Sequence, residues 1–596
     1  MPHTDPNSSS SPRLPVGWPR TDRPMSIAIL GWARLRLQAL EGSGYNLSAT
    51  ELAAGLAMSG HSVFYLRSGM DYSLVGGPRI REEKPWRGVR CSAIVNSRNF
   101  SPASTNFAHV ANELSSPRDD ALVLRWLDSV GAEVVHVHSL EGFALSVVEA
   151  IRRSGRPVVV TPHNYWYVCP QVDLLHKERD CCMDYDGGRR CVGCLETSSP
   201  RAVRFNRAVE QGAERLFGPE TAALMEVIFK AARDALKGKK KPTPEDIEQA
   251  DRIKPDPESA RGFDPGPPDH PGTFDHGLQL RPRDKIDELG CPPLDANERF
   301  LASRDVHLRV LDDSVYGRRR LAGVDALNHA SLVIPPSEFM CRVYETMGVD
   351  RSRIRHVRLG QPHFDQINRR ARRSPFYGTR PWNPAEARRP IRFGFLGTTR
   401  NNKGLGVLAR AIQRLEPEVR RRCQFIVHAY GIDWGYRKML SMYPEVSFLG
   451  GYDTIMLLSA AGEYDVGILP HIWFENSPLV MLEHLHAGKF IVASRLGGPV
   501  DWLHEPGSPG SRANGGLGNA LLFRAGDPDA LADCLRRIVS GDVIVPSPRE
   551  IHDASVLRSY PEHVAEVESI YRELLNGDAT RALRAEPDRA QISAAP

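Results

Sequence analysis

Two glutamates stand eight positions apart in "WFENSPLVMLEHLHAGKFIVAS" (Trp473–Ser494), Glu475 ahead of a helix pattern and Glu483 inside it. "DVGILP" (Asp465–Pro470) is a short apolar run and predicts a buried strand. Asn476 or Ser477 is expected to cap the helix that follows, Pro478 to sit early in it and Gly488 to stop it. "KFIVAS" predicts the next strand. With about 1.5 Å of rise per residue, Glu483 lies roughly 8 Å along the helix, while Glu475 projects from the loop before it. The unpaired N–H groups of a helix start favour an anion such as phosphate. Carboxylates on either side of that point suit a ligand with a diphosphate in its middle and vicinal hydroxyls at both ends, which is the chemistry of a nucleotide sugar. A solvated or salt-bridged pair of glutamates is the plainer alternative.

A diphosphate that leaves with negative charge needs a cation beside it. "GTTRNNKG" (Gly397–Gly404) offers Lys403 and Arg400 directly after an apolar strand pattern. In the first part of the chain, "EGSGYNLSATELA" places Ser43 and Gly44 at the start of a helix, where small residues let backbone amides approach phosphate. No G-x-G-x-x-G follows "AILG", which disfavours a dehydrogenase. His163 in "VVVTPHNYW" falls at the C-terminal end of a predicted strand, the edge at which open parallel sheets bind ligands. Cys169, Cys181, Cys182, Cys191 and Cys194 form a second constellation. "CVGC" is a two-ligand knuckle, and with two of the other three thiols it would complete a structural zinc site; free thiols and a redox disulfide are the other readings.

These residues need a scaffold, and the chain repeats one. "MSIAILGWARL" and "IRFGFLGTTR" are each an apolar strand ending in Gly, followed by a polar loop and a helix pattern. Strands and helices then alternate with short connections, which predicts α/β halves with parallel, doubly wound sheets. At 596 residues the chain exceeds one ordinary core. We expect a disordered tail over 1–24, a first half over 25–367, a linker over 368–390, a second half over 391–545, a C-terminal helix over 546–576 that crosses back to the first half, and a disordered tail over 577–596. Within the first half, 201–316 loses strand character and reads as an insertion, partly helical and partly disordered. Its "LMEVIFKAARDALKGKKK" contains Leu224, Val227, Ile228 and Ala231 beside lysines, and reads as a solvated cover helix or a membrane-surface helix.

Composition limits the class. No apolar run approaches a membrane span, the N-terminus lacks a signal-peptide core, and the net charge of +5 is mild, so a protein of the cytoplasm, or peripheral at the inner face of the membrane, is expected with no demand for nucleic acid.

The constellation resembles the family 4 retaining glycosyltransferases, of the two-domain GT-B fold, over about Met25–Ser199 and Gly323–Asp542. The E-x7-E element is that family's donor signature, and "GGPVDWL" with "GNALLFRAGDPDALADCLRRI" looks like the sequence that follows it. The resemblance implies that Glu483 holds the ribose hydroxyls and Glu475 the donor sugar, with backbone amides offered from Asn476, Ser477, Pro478 and Leu479. Lys403 stands where the family's phosphate-binding lysine does. Thr398 stands where an arginine is usual, with Arg400 as its substitute, and Ser43-Gly44 replaces a Gly-Gly pair. His163 resembles the active-site histidine that contacts the donor sugar. A UDP-, GDP- or other nucleotide-sugar donor, a glycan or lipid-linked acceptor of surface polysaccharide assembly, and no obligatory metal at the phosphates are implied. A degenerate scaffold protein, or a GT-B epimerase or phosphorylase, remains the alternative.

Overall fold

The computed structural model describes residues 18, 21–36, 44–195, 199–217, 291–311, 313–430, 434–451, 457 and 461–585. The first half is built on strands β1 (Ser26–Gly31), β2 (Ser62–Asp71), β3 (Arg79–Glu82), β4 (Arg90–Val95), β5 (Val134–Val137), β6 (Val158–Val160) and, after the short hairpin β7 (Leu175–His176) and β8 (Asp180–Cys181), β9 (Leu332–Val333). Their order in the sheet is β3-β4-β2-β1-β5-β6-β9. All pairings are parallel except β3 on β4, an antiparallel edge hairpin that departs from the expected all-parallel sheet. β3 is half exposed along its length, as an edge strand should be.

The second half carries β10 (Ile391–Thr398), β11 (Cys423–Tyr430), β12 (Val446–Leu449), β13 (Val466–Leu469), β14 (Phe490–Ser494) and β15 (Ala520–Phe523), ordered β12-β11-β10-β13-β14-β15 and parallel throughout. β13 and β14 are buried at every position, which is why they read as continuous apolar runs. In each sheet the strand order reverses beside the central strand, between β1 and β5 and between β10 and β13. Loops leaving the C-terminal ends at those two points diverge and open a cleft.

The halves are tied at their ends. Helix α1 (Gly44–Met58) packs against α7, the last helix among the described residues (Tyr560–Ala585), whose Tyr560 hydroxyl donates to the Glu51 carbonyl at 2.6 Å. Between these lie α2 (Pro200–Phe217), α3 (Ala296–Ala302), α4 (Glu338–Thr346), α5 (Pro362–Arg373) and α6 (Leu479–His486).

Several expected boundaries shift for reasons of packing. α5 runs through the start of the expected linker, and Trp382, within it, is buried in the second core with its indole N–H donated to the Arg389 carbonyl at 3.2 Å. α7 continues into the expected C-terminal tail. Trp18, inside the expected N-terminal tail, is buried against Tyr560 and donates to Ser59 Oγ at 3.1 Å. The lysine-rich helix pattern of the insertion lies outside the described residues.

Candidate donor site

The loop after β10 and the loop after β13 meet. Gly404 has a left-handed φ of 74°, and a Cβ there would stand 1.7 Å from the Pro470 carbonyl oxygen at the end of β13. Only glycine permits that approach. It lays the single turn Asn401–Lys403 beside Trp473–Glu475, where the Ile472 N–H donates to the Asn402 carbonyl at 3.0 Å. Lys403 Nζ forms an ion pair with Glu475 Oε1 and lies 5.3 Å from the Trp473 ring centroid. Glu475 is only 6% exposed, so the pair sits in a poorly solvated place where charge counts. The glycines of "GGPVDWL" fit from the other side: a Cβ on Gly498 would stand 1.8 Å from the Asn476 carbonyl oxygen, and the Gly498 N–H donates to the Glu475 carbonyl at 2.7 Å. Asn297 on α3 clamps the same loop through both polar atoms of Gly497.

Glu483 projects from α6 into a different setting. Its Oε1 pairs with His363 Nε2 on α5 at 3.0 Å, while its Oε2 is buried with no partner among the described residues. An unpartnered carboxylate oxygen in that position is a vacant acceptor, suited to a ligand hydroxyl. The helix start differs from expectation: Pro478 itself is the N-cap, with extended φ/ψ and no side-chain cap. Lacking an N–H, Pro478 offers no amide to a phosphate. Asn476 and Ser477 are not caps either. Asn476 is turned across the cleft, donating from Nδ2 to the His163 carbonyl at 3.2 Å and accepting from Ser337 Oγ, the N-cap of α4, at 2.6 Å. Ser477 Oγ is buried and unpartnered among the described residues, as is Thr398 Oγ1 at the end of β10. Arg400 is exposed at the head of the Lys403 turn. Gly44 opens α1 close to Leu479, 3.2 Å from a Cβ built on it, so the first-half loop and the start of α6 share one wall. Ser43 lies outside the described residues.

The first half contributes His163, half-buried after β6. Its Nε2 meets His138 Nδ1 at 2.9 Å, and His136, beside His138, bonds Thr161 Oγ1 at 2.7 Å and the Tyr571 hydroxyl of α7 at 2.5 Å. Burial drives all three imidazoles to the neutral form, His163 down to about 3, helped by the nearby His563. His138 Nε2 is buried without a partner among the described residues. An orphaned N–H is costlier than a bare lone pair, so the favoured arrangement has His138 Nδ1–H donating to His163 and the His163 proton on Nδ1. His163 is then a neutral donor rather than a base.

Sequence reasoning missed His363, His138 and Asp173. Asp173 follows the "CP" of Cys169-Pro170 and accepts from Asn402 Nδ2 at 3.1 Å across the cleft. A carboxylate in an apolar "QVDLL" run was the available signal.

The expected zinc site is not assembled. Among the described residues no three His, Cys, Asp or Glu are gathered to hold a metal ion, and the five cysteines are free. The sulfurs find protein partners instead: Cys181 donates to the Ile472 carbonyl at 3.4 Å, and Cys194 accepts from the Lys177 N–H at 3.2 Å and donates to Gln171 Oε1 at 3.4 Å. Burial raises these groups, Cys181 and Cys194 to about 12.

No curated protein matches the chain in sequence. Among solved structures the chain is similar to a sucrose-phosphate synthase from Thermosynechococcus elongatus (13% identity, TM-score 0.48, 93% of this chain and 100% of that one). It is also similar to the Alr3699/HepE protein of Anabaena in complex with UDP and glucose (12%, 0.45, 92% and 99%) and to the catalytic domain of starch synthase IV from Arabidopsis thaliana bound to ADP and acarbose (12%, 0.46, 93% and 100%). Among the described residues no helix is long and apolar enough to cross a membrane. The glycosyl transferase 4-like domain family matches residues 43–233 and the glycosyl transferases group 1 family matches residues 390–541, together more than half of the chain. With two parallel α/β halves facing a cleft, the GT-B arrangement, the chain belongs to the group 1 glycosyltransferases and is a transferase enzyme.

Proposed function

We propose that this glycosyltransferase is a retaining enzyme that moves a sugar from a nucleotide-sugar donor to a glycan or lipid-linked acceptor in surface polysaccharide assembly. The donor binds the second half, with Glu483 accepting from the ribose hydroxyls and Glu475 from the transferred sugar. Lys403, with Arg400 behind it, neutralises the diphosphate as the glycosidic bond breaks, and Thr398 and Leu479 border the phosphates. Gly44 and the neutral His163 face the donor from the first half, His163 donating to a sugar oxygen. Catalysis by positioning and by stabilising the leaving charge needs no side-chain base, because the departing phosphate takes the acceptor proton.

The observation that carries this reading is the pairing of Lys403 with Glu475 beside an uncapped helix start, with Glu483 Oε2 left vacant in the same helix. A panel of UDP-, GDP-, dTDP- and ADP-sugars, scored for release of free nucleotide with and without glycan acceptors, tests it. Release from one donor, lost in both Glu475→Ala and Glu483→Ala, is the expected result. Binding without release under every acceptor would favour a scaffold.

A further inference from the structure

Asp173 is a first-half residue that reaches the phosphate loop of the second half. It lies half-buried in the loop between β6 and β7, and its Oδ2 accepts from Asn402, the residue before Lys403. Its Oδ1 takes no hydrogen bond from the described residues. An acidic side chain beside the cation meant for a diphosphate is a conflict if it stays ionised, since like charges in a poorly solvated site repel strongly.

We propose that Asp173 is a diphosphate-binding residue of the donor site: as the donor enters, its carboxyl takes one proton from water, keeps the Asn402 amide on Oδ2 and donates the Oδ1–H to a diphosphate oxygen. The inference rests on the donor-site reading above.

The surroundings support it. Burial raises Asp173 most, Lys403 and Arg400 from the loop after β10 oppose that rise, and Glu475 from the loop after β13 and Glu178 from its own loop add to it; the Cys169 thiol also borders it. The balance leaves Asp173 at about 7 before any ligand arrives. An incoming diphosphate adds negative charge and draws Lys403 and Arg400 toward itself, and both changes raise Asp173 further. Donor binding and proton uptake are therefore linked. The protonated form binds, so affinity is full below the free carboxyl's value and falls by about tenfold per pH unit above it, until the pH passes the value in the complex. An asparagine at this position imitates the protonated acid: its Oδ1 accepts from Asn402 and its Nδ2–H donates to phosphate.

Calorimetric titration with the tightest binder among UDP-, GDP-, dTDP- and ADP-glucose, at several values from pH 6 to 8.5 in two buffers of different ionisation enthalpy, tests the inference, because a nucleotide-sugar diphosphate has no phosphate group titrating there. The natural protein should take up about one proton per donor near pH 8 and lose about tenfold in affinity from pH 7.5 to 8.5. Asp173→Asn should bind with no uptake and flat affinity, and more tightly than the natural protein at pH 8.5. Flat affinity in the natural protein, or equal uptake in D173N, overturns the assignment of Asp173 while leaving the donor site intact; the natural protein alone decides if D173N fails to fold. Binding of none of the four overturns the donor-site reading, and this inference with it.

Discussion

The two walls of the cleft are made of opposite chemistry. The second half presents charge: Lys403 paired with Glu475, and Glu483 held by His363. The first half presents neutral imidazoles in a row, His163, His138 and His136, anchored at the far end by Tyr571 of α7. The difference follows from burial and partners. Lys403 and Glu475 each bring a counter-charge to a dry place, whereas the histidines meet one another and hydroxyl groups, and burial leaves them uncharged. Under the proposed reading the charged wall faces the leaving diphosphate and the imidazoles face the hydroxyls of the sugar, with Asp173 as the first half's reach toward the phosphates.

That division can be broken most forcefully at the charged wall. Lys403→Ala should lower kcat on the order of 10²–10³-fold, the usual consequence of removing one preorganised cationic donor; a smaller loss in a steady-state transfer assay would assign the leaving charge elsewhere. The same variant strands a buried Glu475, so its melting temperature should fall as well. Next in size, Glu483→Gln should weaken donor binding by about 1.5–3 kcal/mol through lost charge-assisted hydrogen bonds, with kcat changed less; calorimetry that finds donor affinity intact would remove Glu483 from the ribose.

The neutral wall makes a gentler prediction with a definite sign. His163 has a folded value near 3 against an ordinary 6.5, as does the fully buried His484 in α6. The unfolded chain then binds more protons between those values, so stability is full above pH 6.5 and is lost progressively as pH falls toward 3. Melting temperatures from pH 7 to 4 should decline steadily, and the rate profile of the natural enzyme should show no step from His163 near 6.5. A rate limb there, absent in His163→Asn, would make His163 a titrating base. The smallest effect is expected of Cys191→Ser combined with Cys194→Ser: transfer activity should change by less than about twofold, as is usual where no buried network is broken, and elemental analysis of the natural protein should find zinc well below one per chain. A stoichiometric zinc lost with the two thiols would mean that these cysteines do assemble around a metal.

Legibility along the chain tracked how local each cause was. The strand, loop and helix around Glu475 were readable because an apolar run, a proline and Gly488 with its φ of 67° act within a few residues. Even there the cap was misplaced by a residue or two, since Asn476 gives its side chain to Ser337 and His163 in other parts of the chain. The antiparallel β3 was missed for a related reason: "RIRE" has no apolar face to announce it, and pairing with β4 alone makes it a strand.

The sequence by itself determined the repeated α/β plan, the E-x7-E element and the lysine after the first strand of the second half, because each is a pattern of neighbours along the chain. Tertiary structure alone decided what those groups face. The pairing of Glu483 with His363 spans 120 positions, that of Asp173 with Asn402 spans 229 and that of His136 with Tyr571 spans 435. Contacts of that range exist only after two sheets have each reversed their strand order and α7 has returned to the first half. Whether a carboxyl is a vacant acceptor, half of an ion pair or a proton carrier depends on burial and on charges that no local stretch contains.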